Sequence, residues 1–317
     1  MVDDADAYPP YGLIPSHFED NPTTMLSTVL LQHLAELTDT DLSQAQIHPI
    51  RGGDINAAYR LRTPQHQWFI KINLAQLADM FAAEAEGLQA LAAQNCIRVP
   101  EVIAQGQFGS QAFLVLEYIE LQGLRGESSS RMGQQLAQLH RIPQSYFGWH
   151  RDNTIGSTPQ SNQRDHDWVS FWQRQRLGKQ LQIAADNGYH GQLQKLGERL
   201  IIAVPLFFSD YTPQPSLLHG DLWGGNASAD TDGQPVIYDP ACYYGDRETD
   251  LAMTELFGGF NADFYAAYNA VYALDTGYKT RKTLYNLYHI LNHLNLFGTG
   301  YLQQAQQMIN QLLSELG

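Results

Sequence analysis

The chain has 317 residues, and its 33 acidic against 19 basic side chains give a formal net charge of −14 at pH 7. This balance argues against nucleic acid or an anionic membrane as the main partner, and no apolar run is long enough to span a bilayer. Only two cysteines, Cys96 and Cys242, are present, which indicates no disulfide framework and predicts a reducing, cytoplasmic location.

The first 24 residues differ in composition from the rest of the chain. They begin with acidic residues, lack an apolar core and contain Pro9, Pro10, Pro15 and Pro22. Residues 1–24 are therefore predicted to be a loosely ordered leader rather than a signal peptide. An apolar stripe from about Thr24 to Leu37 predicts the first helix.

The segment from Ile47 to Leu61 reads as a strand, a glycine-rich turn and a second strand. Main-chain amides of such a turn can hold phosphate groups, which makes Gly52 and Gly53 candidate nucleotide-binding residues. A Gly-Gly turn taken alone is equally typical of an ordinary hairpin. The next strand-like run, 68–73, encloses Lys71, which is either a phosphate-binding cation or an edge-strand lysine facing solvent.

Residues 78–93 have the composition of a helix, and helical spacing places Glu84 on the same face as Phe81 and Leu88. A carboxylate on an inward face needs a partner, and we expect that partner to be Lys71.

A buried strand is predicted at 112–119, followed by a polar stretch. This pattern suits a hinge between two lobes, with the main chain of Glu117, Tyr118 and Ile119 binding adenine. It is also compatible with a core strand followed by a surface loop. We therefore predict an ATP-binding lobe at 25–119 and a catalytic and substrate-binding lobe at 120–317.

The most informative stretch reads Leu-His-Gly-Asp-Leu-Trp-Gly-Gly-Asn at 218–226, and a short apolar run leads from it to Asp239. Phosphoryl transfer from ATP needs a carboxylate that accepts the proton of the attacking hydroxyl, which predicts Asp221 as the catalytic residue. It also needs oxygen ligands for Mg²⁺, which predicts Asn226 and Asp239. Each piece alone could be an ordinary turn, but their order and spacing favour a kinase.

The remaining sequence is mainly helical by pattern, with amphipathic segments at 132–140, 168–183, 193–204 and 281–297. The predicted fold is therefore α+β and bilobal, like that of protein kinases. It has a small N-terminal lobe of antiparallel sheet plus helix and a larger, mainly helical C-terminal lobe.

Trp223, His289 and His293 each allow more than one interpretation, and Asp250 has a structural one. Trp223 either stacks on the substrate or supports the catalytic loop. His289 and His293 have the i, i+4 spacing of a zinc pair, but His293 is better explained as a substrate-cleft or packed residue. Asp250 is predicted to anchor the catalytic loop from the start of a helix.

Four stretches of sequence resemble the fructosamine kinase, or ketosamine-3-kinase, family. They are 218–226, Asp-Pro-Ala-Cys-Tyr-Tyr-Gly at 239–245, Leu-Phe-Gly-Gly-Phe at 256–260 and the helical segment 288–301. The resemblance covers about residues 25–317 and extends to a branch of the kinase-like fold shared with aminoglycoside phosphotransferases and choline kinases.

This resemblance implies ATP and Mg²⁺ as cofactors, with Asp221 as the base, Asn226 and Asp239 on the metal and Lys71, oriented by Glu84, on the phosphates. It implies phosphorylation, at O3, of a ketosamine such as ribulosamine, erythrulosamine or fructosamine, free or attached to a protein amine, in deglycation repair. The alternatives are a kinase of choline, an aminoglycoside or another amino alcohol, and a binding protein of the same fold without activity. Retention of the whole residue set argues against the inactive protein.

Overall fold

The computed structural model describes residues 26–50 and 55–316. The predicted leader at 1–24 and the turn with Gly52 and Gly53 lie outside the described residues, so those predictions stay predictions.

The N-terminal lobe is one antiparallel sheet with a helix on each face. Its strands have the order β1-β2-β3-β5-β4. The strands are β1 (Gln46–Ile50), β2 (Ala57–Arg62), β3 (Gln67–Leu74), β4 (Val102–Phe108) and β5 (Gln111–Glu117), and the helices are α1 (Thr28–Thr38) and α2 (Ala78–Ala93).

Alternation along the two central strands decides which helix covers which face. Ile70 of β3 and Val115 of β5 belong to the core under α1. The neighbouring Leu114 and Leu116 point to the opposite face, into the core shared with α2. Lys71 lies on that second face, since it follows Ile70 in the strand, and it therefore points toward α2 and the cleft.

The chain enters the C-terminal lobe after β5. There β6 (Leu121–Gln122) pairs with β10 (Ala227–Asp230), which pairs with β11 (Pro235–Ile237), and β9 (Pro215–Leu218) pairs with β12 (Tyr243–Asp246). A separate hairpin is formed by β7 (Asn153–Ile155) and β8 (Thr158–Gln160). The loop after β9 and the segment after β11 carry the predicted catalytic and metal residues, as the sequence indicated.

Helices make up most of this lobe. They are α3 (Glu127–His140), α4 (Trp168–Phe171), α5 (Gly178–Asp186), α6 (Gln192–Ala203), α7 (Glu248–Leu256), α8 (Ala262–Val271), α9 (Tyr278–Phe297) and α10 (Leu302–Ser314). A π-helical segment, Trp172–Leu177, joins α4 to α5, so the predicted helix at 168–183 is one continuous element with a widened middle turn.

The predicted bilobal α+β fold is thus confirmed, while the exact division at 119/120 stays a prediction. Among residues 26–50 and 55–316, no helix combines the length and apolar character needed to cross a membrane.

Candidate active site

Four elements of the two lobes meet in one region of the fold. Strand β3 supplies Lys71 and helix α2 supplies Glu84. The loop between β9 and β10 supplies Asp221 and Asn226, and Asp239 follows β11. The residues chosen from sequence for the chemical step therefore lie in the same region of the fold.

Lys71 lies between two carboxylates. Its Nζ donates to Oε1 of Glu84 at 2.8 Å and to Oδ1 of Asp239 at 2.7 Å. The lysine is 6% exposed. Burial acts to lower the pKa of Lys71, but the charges of Asp239 and Glu84 outweigh it and hold the pKa above its usual value. The ammonium group is therefore kept charged.

Asp239 has an unusual main-chain conformation. Its φ is +57°, in the left-handed region that residues other than glycine rarely adopt. Its side chain is 47% exposed even though it contacts the buried Lys71. Backbone strain of this kind persists where the surrounding structure demands it, and here the strained residue, two positions after β11, brings its carboxylate to Lys71.

Asp221 and Asn226 are joined within their loop. The Asn226 carboxamide donates from Nδ2 to the main-chain oxygen of Asp221 at 2.9 Å and to its Oδ2 at 3.2 Å. The main-chain amide of Tyr238 donates to the main-chain carbonyl oxygen of Asn226 at 3.1 Å, which sets Asn226 beside the residue before Asp239. Because the amino group of the carboxamide faces Asp221, its Oδ1 is the atom that would face a metal.

His219 fixes the loop through both ring nitrogens. Nε2 lies 2.9 Å from the carbonyl oxygen of Tyr238, and Nδ1 lies 3.2 Å from the amide nitrogen of Asp221. A carbonyl can only accept and an amide can only donate, so Nε2 carries the proton and Nδ1 accepts. Burial lowers the pKa of His219, against the opposing effect of Asp250, which agrees with this neutral tautomer.

Gly220 is required where it stands. Its φ is +83°, and a Cβ there would lie 2.1 Å from the carbonyl oxygen of Ala241. The same close approach lets the amide of Ala241 donate to the oxygen of His219 at 2.8 Å. The loop that carries Asp221 and the chain after Asp239 are thus in direct main-chain contact.

Asp250, at the start of α7, anchors the loop that carries Asp221, as predicted. Its two carboxylate oxygens accept from the amides of His219 at 2.8 Å and Gly220 at 2.9 Å. His140 of α3 lies 3.3 Å from Asp250 Oδ2 through Nε2. Burial acts to raise the pKa of Asp250, but the hydrogen bond to His140, together with the nearby His219 and the amide of Gly220, outweighs it, so the pKa is lowered and the carboxylate stays ionised. Sequence reasoning missed His140, although a histidine ending an amphipathic helix was a signal that could have been followed.

Trp223 packs against its own loop. A Cβ on Gly225 would lie 2.0 Å from Cη2 of the Trp223 ring, so the ring lies across the glycine. This contact accounts for a supporting role, and it leaves the substrate-stacking interpretation open.

His289 and His293 lie one turn apart in α9. Nδ1 of His293 is 2.7 Å from the carbonyl oxygen of His289, and its ring lies 4.9 Å from that of Phe257. Burial, then the neighbouring His293, lowers the pKa of His289 to about 3. In the described part of the chain, no group of three or more His, Cys, Asp or Glu is placed to hold a metal ion, so the zinc interpretation gains no support.

The hinge residues are partly committed to the sheet. The amide of Glu117 donates to the oxygen of Glu101 at 2.8 Å, and that of Tyr118 donates to the oxygen of Gln67 at 3.1 Å. Other main-chain groups of the stretch, among them those of Ile119, would therefore have to meet adenine.

The β7–β8 hairpin is a second feature that sequence reasoning missed. Gln160 of β8 donates to the carbonyl oxygen of Ala241 at 3.2 Å and accepts from the Tyr288 hydroxyl at 2.7 Å. Burial, with a smaller effect from the nearby Asp221, raises the pKa of Tyr288. The hairpin therefore contacts both α9 and the segment after Asp239, a juxtaposition that no local sequence pattern indicates.

The fold and the grouping of these residues are those of a bilobal, kinase-like phosphotransferase. The same fold occurs in an aminoglycoside phosphotransferase with ADP bound, which superposes with a TM-score of 0.59 and is 14% identical in sequence. The match covers 92% of this chain and 97% of the phosphotransferase chain.

The chain belongs to the fructosamine kinase family, whose model matches residues 26–315. A probable ketoamine kinase from Synechocystis is 46% identical over 285 residues, which cover 90% of this chain and 96% of the relative. A chloroplastic protein-ribulosamine 3-kinase from Oryza sativa is 41% identical over 273 residues, 85% of this chain and 79% of the relative. A solved structure from Haemophilus somnus, assigned to the fructosamine-3-kinases, superposes with a TM-score of 0.81 at 33% identity. The match covers 90% of this chain and 96% of the Haemophilus chain.

Proposed function

We propose that the chain transfers the γ-phosphoryl group of ATP, with Mg²⁺, to the O3 hydroxyl of a ketosamine. The acceptor would be ribulosamine, erythrulosamine or fructosamine, either free or formed on a protein amine. The observation that carries the proposal is the Lys71 ammonium held at once by Glu84 and Asp239, at 2.8 and 2.7 Å, beside the Asp221 loop. The ketoamine and ribulosamine kinase names of the relatives support the acceptor class.

At the nucleotide end, Lys71 would bind the α- and β-phosphates, and Glu84 would hold it in place. The main chain of Gly52 and Gly53 would meet the phosphates, and that of the Glu117–Ile119 stretch would meet adenine. The charged state of Lys71 is secured by its two carboxylate neighbours, so a phosphate arriving there meets a cation already oriented.

The donor set fits magnesium. Asn226 Oδ1 and the Asp239 carboxylate are oxygen ligands from two adjacent segments, and Mg²⁺ is usually held by one or two such groups plus phosphate oxygens and water. The ion would neutralise charge on the phosphates. Asp239, which contacts Lys71, would thereby couple the position of the ammonium to that of the metal.

At the reacting end, Asp221 would accept the proton of the attacking O3 hydroxyl. One oxygen–phosphorus bond forms to O3 while the bond to the ADP oxygen breaks. The carboxylate is oriented by Asn226 and by the loop that His219 and Asp250 hold, so little rearrangement is needed at the moment of reaction.

The acceptor cleft would be bounded by Trp223 and His293. A ketosamine carries a secondary amine that is largely cationic near neutral pH, and the strongly acidic chain suits such a substrate. A 3-phosphorylated ketosamine is prone to lose phosphate and release the amine, so the reaction would serve deglycation. With its two cysteines free, we place this reaction in the cytoplasm.

The test is ATP-dependent phosphate incorporation into the ribulosamine, erythrulosamine and fructosamine of lysine, with choline and an aminoglycoside as comparison acceptors. We expect turnover of at least one ketosamine, with the phosphate located on O3 by NMR. Turnover of choline or the aminoglycoside with none of the three ketosamines would overturn the acceptor. Absence of ATP consumption with every acceptor would overturn the whole proposal.

A further inference from the structure

The helix that carries Glu84 has a second charged face. Asp79 and Glu86 are seven residues apart, two helical turns, and so lie above one another, while Glu84 points to nearly the opposite side. Glu84 reaches the buried Lys71, whereas Asp79 and Glu86 face away from the cleft, toward the C-terminal lobe at the start of the β7–β8 hairpin.

Arg151 of the C-terminal lobe holds that second face at both turns. Its Nη1 donates to Glu86 Oε1 at 2.6 Å. Its Nη2 donates to the Asp79 carboxylate and, at 3.3 Å, to the Asp79 carbonyl oxygen. Nε2 of His150 lies 2.8 Å from the other carboxylate oxygen of Glu86. An isolated surface ion pair contributes little, but here one guanidinium bridges two turns of a helix and one carboxylate takes two partners.

Arg151 and His150 together form a clamp on α2, and the segment that carries them is anchored in the C-terminal lobe. The side chain of Asn162 donates from Nδ2 to the carbonyl oxygen of Arg151 at 3.2 Å. The main-chain amide of Asn162 donates to the carboxylate of Asp152 at 2.7 Å. Asn162 in turn accepts, at 2.8 Å, from the fully buried Arg176. Arg151 therefore projects from a segment fixed to the core.

A third contact joins α2 to the chain just after Asp239. A Cβ on Gly87 would lie 3.2 Å from Cys242 Sγ and 3.3 Å from Pro240 Cγ, so the helix backbone lies close against this segment. Asn153, two residues after Arg151, donates to the carbonyl oxygen of Cys242 at 2.9 Å. Arg151, α2 and the segment after Asp239 thus form a closed triangle of contacts.

We propose that Arg151 is a positioning residue for the nucleotide end of the site. By clamping the outer face of α2 to the C-terminal lobe, it sets the distance between Glu84 and Asp239, the two carboxylates that hold Lys71. The inference rests on the proposed ATP-dependent function, but the clamp itself has a readout that does not need activity.

The test compares Arg151→Gln with Arg174→Gln. Arg174 is the control because it also forms an arginine–carboxylate pair, with Asp165, although it is more exposed than Arg151 and its ion pair does not involve α2. In Arg151→Gln we expect kcat/KM for ATP to fall roughly tenfold, the size of effect typical of a positioning contact, while KM for the ketosamine at saturating ATP stays within about twofold. Hydrogen exchange in peptides covering 78–93 should accelerate in Arg151→Gln and stay at the wild-type rate in Arg174→Gln.

A double variant shows whether the effect of Arg151 on kcat/KM for ATP depends on its contact with Glu86. If Arg151 acts through Glu86, Arg151→Gln with Glu86→Gln should lose about as much kcat/KM for ATP as Arg151→Gln alone. Unchanged exchange at 78–93 together with unchanged kcat/KM for ATP would overturn the inference, and so would an equal loss in Arg174→Gln. If the wild-type protein turned over no acceptor, the proposed function would fail, while the exchange comparison would still decide whether Arg151 holds α2.

Discussion

Asp221 and Asp239 are carboxylates 18 positions apart with different surroundings. Asp221 is 8% exposed and receives hydrogen bonds from Asn226, while Asp239 projects into the cleft toward Lys71. A buried carboxylate oriented by a neutral carboxamide suits proton acceptance. An exposed carboxylate beside a cation suits metal and phosphate. The two residues should therefore fail in different ways when neutralised.

We expect Asp221→Asn to lower kcat by at least about 10²-fold, because a general base contributes about that much. The substitution keeps the size and shape of the side chain, so the melting temperature and the affinity for ATP should stay near those of the wild type. Steady-state kinetics measures kcat, calorimetric titration measures the affinity for ATP, and thermal unfolding measures the melting temperature. Near-normal turnover would remove Asp221 from the mechanism.

The contrasting substitution is Asp239→Asn. It should raise the concentrations of Mg²⁺ and ATP needed for half-maximal rate, because it removes a charged metal ligand. A titration of Mg²⁺ at fixed ATP measures this effect. If the Mg²⁺ requirement and ATP binding were both unchanged, the metal assignment would be wrong.

At the scale of the elements, α9 carries polar side chains into the core of the C-terminal lobe. His289, Asn292 and His293 are all buried in it. His289 is near His293, Asp250 and Arg176, and its pKa is lowered to about 3, first by burial. Because the histidine must be neutral inside the fold, α9 makes the stability of the protein depend on pH.

The sign follows from proton binding. Below its ordinary pKa of about 6.5, His289 is protonated in the unfolded chain but not in the folded one, so acid favours unfolding. Between pH 6.5 and 5 this group alone should lower the free energy of unfolding by about 2 kcal/mol, at about 1.4 kcal/mol per pH unit.

His289→Gln should therefore flatten the loss of stability between pH 7 and 5, whatever its effect at pH 7. Urea unfolding at pH 7, 6 and 5 measures the slope. His190→Gln, at an exposed histidine, is the control and should keep the wild-type slope. An unchanged slope in His289→Gln would show that the buried ring does not carry this dependence.

At the scale of the whole molecule, a buried ion pair ties α9 to α7 beneath the site. Arg281 donates through Nε and Nη2 to the two oxygens of Glu248, at 2.8 and 3.0 Å, and both side chains are at most 4% exposed. Removing one partner of such a pair leaves a buried charge without compensation, which costs about 3–5 kcal/mol.

We therefore expect Arg281→Met to lower the free energy of unfolding by about 3–5 kcal/mol. The comparison is Lys282→Met, which breaks the partly exposed pair with Glu255 and should cost less than about 1 kcal/mol. Chemical denaturation of both variants decides the point. Equal losses would mean that the buried pair contributes no more than a surface one.

The sequence by itself determined what depends on local order. Helix 78–93 is read from composition and has the predicted bounds. Its 3.6-residue period placed Glu84 inward and Glu86 outward, and the structure brings Glu84 to Lys71. The order of Asp221, Asn226 and Asp239 predicted the kinase-like fold, because the strands and turns that present these residues are short segments with their own signals.

Only the tertiary structure decided the contacts that link distant segments. Lys71 and Asp239 are 168 residues apart, and Arg151 meets Glu86 across 65. His140 and Asp250 are separated by 110. No periodicity encodes such pairs, because each depends on how whole helices and strands pack once their apolar faces are buried. The sequence predicted the candidate site residues, whereas the contacts that support them depend on packing.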